Sequence, residues 1–192
     1  MTINRDDNIT GVKSTESAKE QLFNMIGMQS VKDVLEAYDV RDKQSTSNYT
    51  DLTASRLNPN LPKTEKKAEM IHFVLTGNPG TGKTTVAKLL GQMFYEMGYL
   101  ESGHVVEVNR SQLIGEYIGQ TAIKTADYIQ KAMGGVLFID EAYTLKRSDD
   151  DDNLDFGQEA IDTLLKAMDQ YKGKFMVVAA GYPKEMDTFI NS

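Results

Sequence analysis

Residues 77–84 read Gly77-Asn78-Pro79-Gly80-Thr81-Gly82-Lys83-Thr84, a complete G-x-x-x-x-G-K-S/T loop. No other stretch of the chain restricts the fold as tightly. Such a loop works only when a strand runs into it and a helix starts from it. Both neighbours carry the right pattern. Ile71–Thr76 is a short β-rich run, and Lys83–Tyr95 places Val86, Leu90, Met93 and Met97 on one helical face. The same alternation continues downstream. His104–Val108 reads as a strand and Thr121–Met133 as a helix with Ala122, Ile123, Ala126 and Ile129 inward. Val136–Ile139 is a continuous apolar strand, Gln158–Met168 a helix and Phe175–Ala180 a further buried strand. Strands and helices alternating at these lengths predict a parallel sheet covered on both faces, a three-layer α/β fold.

The loop carries its own chemistry. Glycines let backbone N–H groups turn inward around an anion, and the helix N-terminus adds partial positive charge. In that arrangement Lys83 reaches the β- and γ-phosphates of a nucleotide and the Thr84 hydroxyl ligates Mg²⁺. The alternative, a glycine-rich turn of structural value only, leaves the filled lysine and threonine positions without a reason. A second constellation follows at Val136-Leu137-Phe138-Ile139-Asp140-Glu141. The apolar strand delivers Asp140 to its C-terminal end, where ligands bind in parallel sheets. Asp140 is the candidate for holding Mg²⁺ through water, and Glu141 for polarising a water against the γ-phosphate. Alone, an acidic pair at a strand end reads equally well as a solvated loop; the phosphate loop upstream decides for chemistry. Gly115-Glu116-Tyr117-Ile118-Gly119 is a third feature, an aromatic–aliphatic tip flanked by glycines. By itself it fits a tyrosine capping a surface helix.

Composition narrows the function classes. Lys plus Arg number 21 against 28 Asp plus Glu, giving a formal charge of −7, so the basic footprint of a nucleic-acid or anionic-membrane binder is missing. There is no Cys, which excludes disulfides and thiolate chemistry, and the two histidines, His72 and His104, are too few for a His-rich metal site. No signal peptide is visible at Met1–Lys13, and the apolar runs are strand-sized; the expectation is a cytoplasmic protein without a membrane. Residues 1–18 read as a flexible tail. Residues 19–70 read as a helical and linker segment in which Leu22, Met25, Ile26, Val31, Val34 and Leu35 recur at helical spacing around Gly27. The stretch between Arg41 and Lys67 is polar, with Pro59 and Pro62, and reads as a connection. Residues 71–192 then form the nucleotide-binding core.

Gly77–Thr84, Asp140-Glu141 and Tyr117-Ile118-Gly119, in this arrangement, resemble the AAA+ ATPases. Segments 77–91, 115–125, 134–145, 155–169 and 180–186 are similar to the branch containing red-type Rubisco activase, stage V sporulation protein K and the type VII secretion ATPases. The resemblance implies a P-loop NTPase sheet of order 5-1-4-3-2. It also implies ATP and Mg²⁺ as ligands, a homo-hexameric ring and ATP-driven remodelling of a protein substrate. Nucleotide contacts then fall on Asn78, Pro79, Gly80, Thr81, Gly82, Lys83, Thr84 and Thr85, with Ile26 and Gly27 beside the adenine. Tyr117, Ile118 and Gly119 become the pore loop that grips a peptide, while the acidic run Asp149–Asp152 still reads as a solvated loop.

Two departures from that pattern stand out. The Phe175–Ala180 strand is expected to end in a polar sensor such as Asn, and here the chain reads Ala180-Gly181-Tyr182, with Tyr182 the substitute. The arginines are Arg5, Arg41, Arg56, Arg110 and Arg147, with none near the family's arginine-finger position. The sequence therefore reads as an α/β subdomain without finger or helical lid, expected to be mostly monomeric and nearly inactive alone. Two rival readings remain: a nucleic-acid motor or clamp-loader-like ATPase, and a nucleotide-binding or kinase-like module without motor activity. Asp155-Phe156-Gly157 spells the kinase magnesium motif, but no H-R-D loop precedes it, and the match is coincidence.

Overall fold

The computed structural model describes residues 17–25, 32–33, 35–36, 71–117, 119–146 and 156–191. Ile26, Gly27 and Ile118, the connection 41–67, the acidic run 149–152 and Arg147 lie outside the described residues. The sheet is made by β1 (Phe73–Thr76), β2 (Val105–Val108), β3 (Val136–Ile139) and β4 (Met176–Gly181). All neighbours pair parallel in the order β1-β4-β3-β2. Among the described residues the sheet thus has four strands where five were expected, and the order of those four is the expected one. The register sets Leu137 beside Val177 and Phe138 beside Val178.

Alternation along β3 and β4 divides the apolar residues between two cores, because successive side chains leave a strand on opposite faces. Val136, Phe138, Met176, Val178 and Ala180 point to one side, where Val86, Ala87, Leu90, Met93 and Phe94 of α2 (Lys83–Glu96) meet them. Leu22 of α1 (Ala18–Asn24) closes that layer, its helix started by Ser17 and Glu20 in a reciprocal capping box. Leu137, Ile139, Phe175 and Val177 point to the other side. There they meet α3 (Arg110–Leu113), α4 (Gln120–Ala132), the short 3₁₀ helix Ala142–Lys146, α5 (Phe156–Gln170) and α6 (Pro183–Ile190). With β3 buried at all four positions, the architecture is three-layered.

One expectation about packing is corrected. On α4 the buried residues are Thr121, Thr125, Ile129 and Ala132, whereas Ile123 is 65% exposed and Ala126 is also exposed. The helix is turned by about one residue from its apolar reading. Thr125 Oγ1 donates to the Leu113 carbonyl (3.2 Å), and Thr121 Oγ1 accepts from the Gly115 N–H (3.0 Å). These hydrogen bonds offset the cost of burying the hydroxyls, so the two threonines can take the inner face in place of Ile123.

Candidate functional site

A cleft of about 410 Å³ opens at the C-terminal ends of the strands, the position where a parallel sheet offers its ligand site. Its walls are Pro79, Gly80, Thr81, Gly82, Lys83, Thr84, Thr85, Asp140, Glu141, Gly181 and Tyr182. Residues from three separate strand ends therefore converge there. Gly80 and Gly82 hold φ values of +73° and +84°, a region costly for side chains other than glycine, and Gly82 is the N-cap of α2. The loop is anchored to the sheet by the Gly77 N–H donating to the Gly181 carbonyl (3.1 Å). Thr81 Oγ1 donates to the Asn78 carbonyl (2.8 Å), which stiffens the turn. Asn78 itself does not line the cleft, but its carbonyl accepts from two residues that do, Thr81 and Lys83.

Lys83 Nζ donates to the Gly77 carbonyl (2.8 Å) and to the Asn78 carbonyl (3.1 Å), and lies 5.7 Å from the centre of the Tyr182 ring. The ammonium is thus parked on neutral acceptors within the loop that an anion would enter. Tyr182 packs on Tyr143 with ring centres 5.8 Å apart. A Cβ at position 181 would sit 2.7 Å from Tyr143 Cδ1 and from Met186 Cγ, so only glycine fits between strand and aromatic pair. Sequence reading singled out Tyr182 but missed Gly181 and Tyr143. The glycine ending the apolar strand was the available signal.

Across the cleft, Asp140 follows β3, with its N–H donating to the Val108 carbonyl (2.8 Å). Glu141 adopts φ +48°, the one described non-glycine residue with positive φ. The strain is held by three bonds: the Glu141 N–H donates to Asp140 Oδ1 (3.0 Å), and the Glu141 carbonyl accepts from the Thr144 N–H (2.8 Å) and Thr144 Oγ1 (2.7 Å). This turn leaves the Glu141 side chain exposed in the cleft wall. The donor set fits a magnesium nucleotide. An ammonium and a glycine-shaped helix N-terminus suit phosphates, and a half-buried hydroxyl at Thr84 with the Asp140 carboxylate offers hard oxygen ligands.

The Tyr117 tip lies elsewhere, between α3 and α4. Its base is pinned by the two threonine bonds described above and by Lys124 Nζ donating to the Ile114 carbonyl (2.8 Å). At the foot of the tip, Gly115 leaves no room for a Cβ against the Thr121 backbone nitrogen at 3.0 Å. Gly119 turns into α4 with φ +80°. Above that fixed base Tyr117 is 68% exposed.

A profile of the family described as "ATPase family associated with various cellular activities (AAA)" matches residues 73–191. Stage V sporulation protein K of Bacillus subtilis is 53% identical over 123 residues, which is 64% of this chain and 37% of that protein. Protein CbbX of Cereibacter sphaeroides is 49% identical over 122 residues, 64% of this chain and 39% of that protein. The chloroplastic ribulose bisphosphate carboxylase/oxygenase activase of Cyanidioschyzon merolae is 48% identical over 122 residues, covering 64% and 41%. The chain matches about two-fifths of the length of these relatives.

Proposed function

The chain belongs to the AAA family of ATPases, and from that premise we propose that it binds ATP in the cleft and hydrolyses it to drive work on a protein substrate. The observation that carries this reading is the convergence of Lys83, Thr84, Asp140 and Glu141 on one cleft. Lys83 Nζ exchanges its two loop carbonyls for the β- and γ-phosphate oxygens, a charge-assisted contact stronger than the neutral ones it leaves. Backbone N–H groups of the loop and the start of α2 meet the remaining phosphate charge. Thr84 and Asp140 would hold Mg²⁺, which when bound neutralises developing charge on the phosphates. The Glu141 carboxylate takes a proton from water as its oxygen attacks the γ-phosphorus, and the bond to the β-bridging oxygen breaks to release ADP and phosphate.

Work on a polypeptide is assigned to Tyr117, Ile118 and Gly119 of the tip, in a homo-hexameric ring. Support comes from the relatives, one of which is named an activase, and from the exposed aromatic on a rigid base. A nucleic-acid motor would need a basic channel, which a net charge of −7 disfavours. No helix among the described residues is long and apolar enough to cross a membrane. One set of variants tests the reading. Lys83→Ala abolishes ATP binding in calorimetry, and Glu141→Gln keeps binding but slows phosphate release about 10²–10⁴-fold. In the assembled ring Tyr117→Ala spares hydrolysis and removes unfolding of a tagged substrate. Equal ATP affinity for wild type and Lys83→Ala would end the assignment.

A further inference from the structure

The 3₁₀ helix that leads away from Glu141 is gripped at its far end by a residue from another part of the chain. Arg110 Nη1 donates to the Thr144 carbonyl and to the Leu145 carbonyl (3.2 Å), although it lies 34 residues earlier. Arg110 is the first residue of α3, directly after β2, and α3 leads into the Tyr117 tip. Gly157 near the start of α5 packs on the same point: a Cβ there would collide with the Leu145 carbonyl oxygen and come within 3.3 Å of Arg110 Nη1. Three segments thus meet around one guanidinium. Thr144 connects that meeting point to the cleft, because its N–H and hydroxyl both hold the Glu141 carbonyl in a backbone conformation that glutamate does not favour.

We propose that Arg110 is a positioning residue for Glu141, acting through Thr144, and that it ties the Tyr117 tip to the hydrolytic carboxylate. The proposal rests on the reading of Glu141 as the base. With the guanidinium in place, the carbonyl end of the 3₁₀ helix is fixed and Thr144 holds Glu141 in its strained turn. With it gone, the turn relaxes and the carboxylate leaves the cleft wall. A displacement of the tip is transmitted along α3 to the same contact, since only Ile114, Gly115 and Glu116 separate α3 from Tyr117. Both carbonyl contacts use Nη1 and lie within the same chain. Folding of α3 does not depend on it, because Asn109 and Gln112 form their own capping box there.

The test compares wild type, Arg110→Ala, Arg110→Lys and Glu141→Gln. In hydrogen exchange, Arg110→Ala speeds the amides of 141–146 about 10-fold or more while β3 and β4 keep their protection. Guanidinium ion at about 10 mM restores protection in Arg110→Ala but changes nothing in wild type. Arg110→Lys is intermediate, a point charge that lacks the planar fork. Under single-turnover conditions phosphate release falls about 10- to 100-fold in Arg110→Ala, with nucleotide affinity within about twofold of wild type. Unchanged exchange at 141–146 overturns the proposal, as does a uniform rise across all strands, or loss of affinity in step with turnover. If Glu141→Gln leaves phosphate release unchanged, the base reading fails, while the exchange result still decides whether Arg110 holds the 3₁₀ helix.

Discussion

At the edge of the sheet, His72 uses its side chain where a strand would use its backbone. The Val177 N–H of β4 donates to His72 Nδ1 (3.0 Å), and the ring lies tilted against Phe175 at 6.4 Å. Accepting that bond requires Nδ1 to be unprotonated, so the neutral imidazole carries its proton on Nε2. Burial holds the imidazole below its ordinary value near 6.5. The folded protein therefore binds fewer protons here than the unfolded chain between the lowered value and about 6.5, and stability rises with pH across that window. The contribution is complete above about pH 6.5 and is lost as pH falls below it, at no more than about 1.4 kcal/mol per pH unit. Denaturant unfolding at pH 7.5 and 5.5 checks this: His72→Asn, a neutral acceptor, reduces the loss between the two. Identical losses in wild type and variant would mean that the imidazole is not linked to folding.

Among the elements, α4 shows where the sequence is legible and where it is not. The buried β3 and β4 follow from continuous apolar runs, the phosphate loop from its glycine, lysine and threonine spacing, and the strand order from the family resemblance. Short runs such as the 3₁₀ helix Ala142–Lys146 and the four-residue α3 have no periodicity to read. The 3₁₀ helix is held by the distant Arg110, and α3 by its own Asn109–Gln112 capping box. The orientation of α4 was misread for a related reason: hydrophobicity alone ranks Ile123 above Thr121 and Thr125, and only the folded positions of Leu113 and Gly115 give those hydroxyls partners. Within the candidate site, glycine, lysine and acidic positions were legible because their chemistry is local. The fit of Gly181 against Tyr143 was not, since 38 residues separate them in sequence. The corrected helix face makes a contrast that thermal or chemical denaturation can read. Ile123→Lys changes stability by no more than about 0.5 kcal/mol, whereas Thr125→Ala, which leaves the Leu113 carbonyl unpaired in the core, costs about 1–3 kcal/mol. A large loss at Ile123 with none at Thr125 would restore the original face.

For the whole molecule, the two cores on either side of the sheet share few elements besides the strands themselves. The phosphate loop opens α2, whose apolar residues belong entirely to one core. Glu141 leads into Ala142 and Leu145, and Tyr182 into Met186, all of the other core. The cleft therefore runs along the seam between two half-molecules, and whatever fills it makes contacts on both banks at once. In thermodynamic terms a nucleotide there is a cross-brace, coupling layers that among the described residues meet mainly through four short strands and the Lys83–Tyr182 contact. Mass action sets the size of the effect: ligand at a hundredfold its Kd adds about 2.7 kcal/mol, or about 5–10 °C in Tm for a chain of this size. Mg²⁺ with a non-hydrolysable ATP analogue gives that rise in wild type and none in Lys83→Ala, measured by calorimetric melting. Its sharper signature is a change of shape, because a braced molecule melts in a single narrow transition while the unbraced one can loosen one layer before the other. Under the proposed hydrolysis, turnover would be a cycle in mechanical stiffness, with each phosphate released returning the two halves to separate motion.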